Sequence, residues 1–587
     1  MQKSSSGWIK PSTALAFGVC AVALFSLAAS SQERLPQAQA PQPATVTATP
    51  VTADVSVPDS MMLNADKDGG ENWLLHGRTY DAQSYSPLTQ INKKNVSKLK
   101  PVAIIQTGIL NTYENTPIEV NGVLFTVTAQ NHVQTYDAVT GQTLWAYNPT
   151  LDPSDYICCG PQAKGVAVAY GKVYSPQIDG KVVALDAKTG AVAWIANQAD
   201  ILPEPTKYYT FTSAPIVYDH QVILGNAGSE YPTRGFVEAL NANTGKLMWR
   251  FRTTSAPDEL GGGTESWAGD SWTHGGGAVW NTPAIDTKNN LAIFAVANPN
   301  PDYQGEERLG TNLYTNSIVA IDAHTGKIKW YYQEVPHDLW DYDAVAPVAL
   351  FDAVDNGKVV PAVAEGGKVG YVFILNRLTG KLLHKTAFVE HSDNMFTVPT
   401  ATLSAPRYPG INGGSLWSTP AFSPRTHDFY IMGVNEAYAI MTRPVQPIVP
   451  GQLVVGQRTG GGQRPDATAY PKPYGTFTAI NVNTGNVDWQ YKASLPMYGG
   501  VVATASDLVF TGEMDGNIDA FDAKTGKKLW NYQMGAGVCT PPITYRVKGV
   551  QYLAVSAAGC ARGRTYTNPM ARQQYGDVVA IFALPGK

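Results

Sequence analysis

Charged side chains are scarce in this chain of 587 residues. Asp, Glu, Lys and Arg make up 15% of it, well below the roughly 25% of an average soluble protein. The two signs nearly cancel, with 43 Lys and Arg against 47 Asp and Glu and a net charge of −4. Without a basic excess nothing points to a surface for a polyanion, and a nucleic-acid partner is not expected. Cysteine is scarce as well, with five in all, none of them in a Cys-x-x-Cys-His run. The chain therefore encodes no covalently attached haem. It also lacks a Gly-rich dinucleotide fingerprint after a strand and a phosphate loop. Any redox chemistry would need a cofactor other than NAD or an internal haem.

One apolar run, Thr13 to Ala29, follows Lys3 and Lys10, and the small residues Ala28 and Ser30 suit a cleavage site. It is short for an anchor and reads as a secretory signal peptide covering residues 1–30, so stable membrane insertion is not expected. Residues 31–66, rich in Pro, Ala, Gln and Thr, are expected to be a flexible lead-in.

Gly (55) and Pro (40) are abundant, as a turn-rich chain requires. The turns follow a repeat. Its signature is Asp or Asn, two variable residues, Thr-Gly, three more residues, then Trp. The copies are Asp137 to Trp145, Asp186 to Trp194, Asn241 to Trp249, Asp322 to Trp330, Asn376 to His384, Asn481 to Trp489 and Asp522 to Trp530. Each follows an alternating apolar run with the period of a strand. Gly supplies a positive φ, and Asp or Asn bonds its own backbone two residues on. Each copy is thus a β-hairpin whose return strand carries a large aromatic, placed to wedge between neighbouring sheets.

A period of about 40–55 residues fits four-stranded propeller blades. The longer gap from Gly380 to Gly485 is read as holding one degenerate blade, at His427 to Ile440, which brings the seven copies to eight blades. The expectation is an all-β, eight-bladed β-propeller over residues 67–587. A sandwich array or open solenoid is the alternative. The ring is expected to close by pairing Gln83 to Ile91 with Asp577 to Leu584, removing exposed sheet edges. A propeller also accommodates the length, because each blade interface is its own small core.

After the signal segment four cysteines remain: Cys158, Cys159, Cys539 and Cys560. An even count in an exported chain favours disulfides. Cys539 and Cys560 both fall in the last blade, where a bridge across strands is possible. The adjacent Cys158 and Cys159 can pair only by closing a strained eight-membered ring.

Polar clusters interrupt the blades at strand ends, where function is usually carried. Pro336 to Val345 gathers Asp338, Asp341 and Asp343. Asp341 and Asp343 are two apart and share one side of an extended strand. They are either ligands for a hard cation or part of a solvated acidic turn. Glu230 follows an apolar strand within Ile223 to Gly235. Asn298 ends another just before Pro299, where its side-chain carbonyl can face a cavity. Trp280 follows three glycines and has blade packing as its ordinary role; Lys368, in Glu365 to Gly380, would ordinarily be a surface charge. The Pro/Gly-rich excursion Thr442 to Gly475 is too long for a plain connection. It is either a cover over the funnel mouth or a surface insertion.

Adjacent cysteines, Ser229 to Gly235 (SEYPTRG), Ala297 to Pro301 (ANPNP) and Trp340 to Asp343 (WDYD), in this order, resemble the pyrroloquinoline quinone (PQQ)-dependent alcohol dehydrogenases, the family of bacterial methanol and ethanol dehydrogenases. The resemblance covers nearly the whole mature chain, from Asn72 to Asn92 (NWLLHGRTYDAQSYSPLTQIN) onward. It implies PQQ and one metal ion, a lanthanide or calcium, as cofactors. Cys158 and Cys159 match a vicinal disulfide over one face of the quinone, and Trp280 the indole on the other. Glu230, Asn298 and Asp341 match the metal ligands, and Asp341 also the general base. Lys368 matches the residue that hydrogen-bonds the reactive quinone oxygen. Glu114, Lys164, Thr212, Gly228, Ser229 and Trp417 match positions around the cofactor. Asp343 matches the extra ligand of the lanthanide-dependent enzymes, although HDLWDYD also resembles the glucose dehydrogenase branch, which uses divalent ions.

The implied reaction is oxidation of an alcohol to an aldehyde or ketone by hydride transfer to PQQ C5. The metal would act as Lewis acid, Asp341 as base and Lys368 as the support for charge on the quinone oxygen. The signal peptide points to a periplasmic location; a soluble cytochrome c is expected as electron acceptor, and the chain is compatible with a homodimer. Three departures put the substrate in question: Lys164 where an Arg is usual, which offers charge without a bidentate fork; Ala227 where Ser is common; and Leu416 before Trp417 where Asn is usual. Two other functions stay open, a quinoprotein sugar dehydrogenase and a non-enzymatic envelope scaffold, because fold alone does not imply function.

Overall fold

The alternating apolar runs form strands that assort into eight antiparallel sheets arranged as propeller blades. The computed structural model describes residues 49–151, 159–202, 208–445, 447–449, 452–456, 472–560 and 575–586, all within the unit Pro41–Lys587. In chain order the blades span 118–147, 167–197, 216–252, 284–333, 349–387, 421–493 and 501–533. The eighth combines 543–583 with the strand Lys100–Gln106 from near the N-terminus.

Each copy of the signature is an inter-blade joint. In the first copy Asp137 Oδ1 accepts from the Val139 and Thr140 amides at 3.0 and 2.8 Å and from the Thr140 hydroxyl at 3.0 Å, which sets the turn. The closing Trp then crosses to the next blade. The Nε1 of Trp145, Trp194, Trp330 and Trp489 donates to the carbonyl of Ala187, Ala242, Arg377 and Ala523, at 3.1, 3.1, 2.9 and 2.8 Å. That acceptor is each time the second residue of the following copy. The ring lies under the following Thr-Gly turn, so close that a Cβ on Gly190 would stand 2.6 Å from the Trp145 ring. Spacing and chemistry repeat together because turn and indole are two halves of one contact. In the fifth blade His384 takes the Trp position and lies against Gly485.

Two details of the expected ring differ. His427 to Ile440 is not a degenerate blade: Asp428–Asn435 is the second strand of the sixth blade, paired with Tyr474–Asn481, which leads into the sixth copy of the signature. The long gap is filled instead by loops before and inside that blade. The blade without a signature is the last, where Val578–Ala583 pairs with Lys100–Gln106 and not with Gln83 to Ile91. Lys100–Gln106 alternates exposed and partly buried positions as an outer strand should, whereas the earlier run is interrupted by Ser84 at φ 47° and by Pro87, which has no N–H to donate.

That earlier segment has another task. The carbonyls of Tyr80, Asp81, Gln83 and Ser84 accept from Ile285, Leu350, Phe422 and Ala503, one first strand after another from the fourth blade to the seventh. Tyr85–Ser86 adds a short parallel strand to Val501–Thr504. The 49–66 part of the expected flexible lead-in is also packed: Val51, Val55 and Val57 are buried, and Val51 N donates to Lys188 O at 3.1 Å. These three valines, with Met62 and Ala65 buried beside them, seat the segment against the first two blades.

Candidate functional site

In every blade the first strand begins, and the second ends, at the same end of the propeller. Residues just before first strands (Glu114, Lys164, Thr212, Trp280, Asp341, Asp343) and just after second strands (Glu230, Asn298, Lys368) are therefore delivered to one place from five blades.

The loop 338–346 is built around Asp338. Its Oδ1 accepts the Trp340 amide and its Oδ2 the Tyr342 amide, both at 2.9 Å, and the Tyr342 hydroxyl donates to Pro409 O at 2.8 Å. Asp338 thus folds the loop that presents the other two acids. It holds Asp341 at φ 63°, a left-handed backbone that a non-glycine residue adopts at a cost. The acidic turn is not solvated, since Asp338 is 0% and Asp343 2% exposed. Lys368, 5% exposed, is not a surface charge. Its ammonium lies 2.7 Å from Asp341 Oδ1 and 2.5 Å from Asp343 Oδ2. Asp343 Oδ1 accepts the Asn298 amide at 2.6 Å, and the Tyr303 hydroxyl donates to Asp341 Oδ2 at 3.3 Å.

The site holds more negative charge than one ammonium supports. Burial pushes the Asp341 carboxyl up to about 8 in spite of Lys368. Burial, with the charge of Asp343 added to it, pushes Glu230 up to about 7. Burial also opposes the charge on Lys368, but Asp341 and Asp343 more than offset it and raise the ammonium's pKa.

Asp302 belongs to the same group and was not singled out from the sequence. Burial, followed by the charges of Asp341, Glu230 and Asp343, holds it well above the ordinary carboxylate range. The only signal for it was its place four residues after Asn298 in a Pro-flanked run. Tyr303 was missed for the same reason: which residue of an irregular loop turns inward is a property of the folded loop.

A second cluster adjoins the first. Lys164 Nζ lies 3.1 Å from Glu114 Oε2, 3.4 Å from the Thr212 hydroxyl, and 5.0 Å above the Trp280 ring. Trp280 is half-buried and packs between two apolar groups, one containing Val345 and the other Leu416, Trp417, Tyr498 and the Cys539–Cys560 disulfide. Trp417 stacks on Tyr498 with ring centroids 5.2 Å apart and donates to Cys539 O at 3.4 Å. The last blade's bridge is therefore formed, and it buttresses this wall. Ser229 Oγ accepts the Ala278 amide at 2.9 Å, tying the Glu230 loop to the one that carries Trp280. Gly228, at φ 103°, has no room for a side chain, because a Cβ would stand 2.6 Å from Tyr208 O. Cys158 lies outside the described residues, as does its pairing with Cys159, whose carbonyl accepts from Gln162 Nε2 at 2.8 Å.

Part of the excursion Thr442 to Gly475 reaches the site. Val454 N donates to Glu230 O at 2.8 Å, Asn300 Nδ2 donates to Val454 O at 2.6 Å, and Tyr303 N donates to Val455 O at 3.0 Å. Residues 457–471 lie outside the described set.

Every candidate metal donor is an oxygen, the set a hard cation prefers. Two of these oxygens, Asn298 Oδ1 and Asp302 Oδ1, are buried with no hydrogen-bond partner, a costly state unless a cation answers it. Among the described residues no three His, Cys, Asp or Glu side chains already surround one point. The Lys368 ammonium instead occupies the position between Asp341 and Asp343. The donor chemistry fits a metal, provided that Lys368 withdraws from one of its two partners.

A family model for the glucose, ethanol and alcohol dehydrogenase β-propeller domain (PQQ) matches residues 73–390 and 385–553. The quinohemoprotein alcohol dehydrogenase ADH IIB of Pseudomonas putida is 32% identical over 580 residues, covering 92% of this chain and 81% of that protein. Methanol dehydrogenase (cytochrome c) subunit 1 of Methylobacterium organophilum is 32% identical over 529 residues, covering 83% of each. A europium-containing methanol dehydrogenase superposes with a TM-score of 0.81 at 29% identity, covering 89% of this chain and 100% of that one. The chain belongs to the PQQ-dependent alcohol dehydrogenases and is an oxidoreductase that acts on alcohols.

Proposed function

We propose that this protein is a periplasmic enzyme that uses PQQ and one metal ion to oxidise an alcohol to an aldehyde or ketone, passing the electrons to a separate cytochrome c. The observation that carries the reading is Lys368, buried between Asp341 and Asp343 beside the Glu114, Lys164, Thr212 and Trp280 cluster. PQQ, when bound, supplies the two-electron acceptor. Trp280 offers it a flat apolar face, and Lys164, screened from water with Glu114 and Thr212, offers a cation for a carboxylate at its edge. Glu230, Asn298, Asp341 and Asp343 are the oxygen donors for the metal, which is a lanthanide or calcium.

Asp341 takes the alcohol's hydroxyl proton. Tyr303 and Lys368 fix its orientation through one bond to each oxygen. Lys368 also supplies a fixed positive charge where negative charge develops, and burial keeps that charge strong. The segment 452–456 is tied to the site by its bonds to Glu230, Asn300 and Tyr303. A relative is named for cytochrome c, which favours an external acceptor. The apolar run at the N-terminus, with its basic residues, supports export.

The test is dye-linked oxidation by purified protein over a panel of alcohols and sugars, with PQQ alone, with added calcium, and with added lanthanum. Turnover of alcohols that requires PQQ and one of the two ions supports the reading. Turnover confined to sugars replaces the substrate class, and absence of both turnover and PQQ retention removes the enzymatic reading.

A further inference from the structure

Asp302 is the acid in the site that the reaction above does not use. It is 3% exposed, and its Oδ1 is buried without a hydrogen-bond partner. The charges it faces are Asp341, Glu230, Asp343 and, opposing them, Lys368. Arg308 is also within reach, but it faces Asp338 first. Its Nη1 is engaged with Asn312 Oδ1 at 2.8 Å, and its Nε and Nη2 with Pro301 O at 3.2 and 2.9 Å. A buried carboxylate oxygen without a hydrogen-bond partner, among three other acids, is answered by a proton while the site is empty and by a cation when the acids ionise together.

We infer that Asp302 is a further oxygen ligand at the metal site and that its charge makes the site favour a trivalent ion over a divalent one. The inference rests on the reading of Glu230, Asn298, Asp341 and Asp343 as ligands. With Asp302 included, four carboxylates stand against one ammonium, which leaves three negative charges uncompensated. A divalent ion leaves one of them buried, whereas a trivalent ion leaves none. Oxygen sites of this kind set affinity by the number of charged ligands, and ligand type selects a class of metal. Position supports the assignment. Asn298 and Asp302 flank the Pro299-Asn300-Pro301 turn, which is held by Val454 through the Asn300 side chain. Two orphaned oxygens, Asn298 Oδ1 and Asp302 Oδ1, therefore come from one loop.

The experiment uses PQQ-loaded, metal-stripped protein, titrated with terbium(III) by sensitised luminescence and with calcium by calorimetry. It compares wild type with Asp302→Asn, which keeps the shape, and with Asp302→Ala. The expected result is that both variants lose terbium affinity by more than about tenfold and lose clearly less for calcium. Luminescence lifetimes in H2O and D2O should show at least one additional water on terbium in Asp302→Ala. Wild-type terbium affinity and hydration in both variants overturn the role of Asp302 and leave the metal site standing. Equal losses for the two ions overturn the selectivity. Wild type that binds neither ion overturns the metal reading itself, and this inference with it. Unchanged PQQ absorbance in the variants shows that any loss is not a loss of fold.

Discussion

Substituting Gly380 by Ala tests the joint that builds the ring. Gly380 is the glycine of the fifth-blade turn, at φ +70°, and a Cβ there would stand 2.7 Å from Cε3 of Trp330 in the fourth blade. Gly357, in the first hairpin of the same blade, has nearly the same backbone at φ +74° but nothing within 4 Å of the added atom. The pair Gly380→Ala and Gly357→Ala therefore separates backbone strain from packing. Both should pay about 1–2 kcal/mol for the left-handed conformation. Only Gly380→Ala should add about 1–3 kcal/mol for overpacking, because the Trp330 ring is buried and pinned by its bond to Arg377 O. Its total is then about 2–5 kcal/mol. Denaturant midpoints measured side by side give the difference. A ring of this size need not unfold in one step, so hydrogen exchange in Ile328–Gln333 and Leu382–Ala387 locates the loss. Equal destabilisation by the two substitutions, or protection lost elsewhere first, would refute the claim that the Gly–Trp contact requires glycine in the signature.

Asp341→Asn should leave the fold and PQQ retention intact and abolish dye-linked turnover; full activity would remove Asp341 as the base. Lys164→Met should weaken PQQ binding by about tenfold or more, as expected for loss of a buried charge partner, with spectrophotometric titration as the readout. Glu365, which burial pushes up to about 7 from an ordinary 4.5, binds its proton more tightly folded than unfolded. Its contribution is complete below about pH 4.5 and is lost as pH rises towards 7. Glu365→Gln keeps an acceptor for the Ala346 amide and should remove part of that decline, the rest staying with its buried partner Glu334, seen as a flatter stability profile between pH 5 and 8. Cys539→Ser opens a bridge that spans 21 residues and should cost about 3 kcal/mol, with the drop in unfolding midpoint on adding reductant smaller than in wild type.

The sequence by itself determined what depends on neighbours along the chain. Asp-x-x-Thr-Gly is turn chemistry, complete within five residues, and the following Trp is in register with it, so the hairpins and their blade architecture were legible. The motifs around Glu230, Asn298 and Asp341 were legible because each ends or begins a strand, and strand ends of successive blades necessarily gather at one end of a ring. What closed the ring was not legible. Lys100–Gln106 meets Val578–Ala583 across nearly the whole chain, and the eighth blade carries no signature to announce it. His427 to Ile440 looked like a blade of its own only because its partner strand lies beyond a long excursion. At the site, the sequence showed which acids were near one another in the chain. Only the tertiary structure decided that Asp338 folds the loop while Asp341 and Asp343 share Lys368, and that Asp302 turns inward to join them. Burial and charge balance are sums over residues from several blades, and no local pattern encodes that sum.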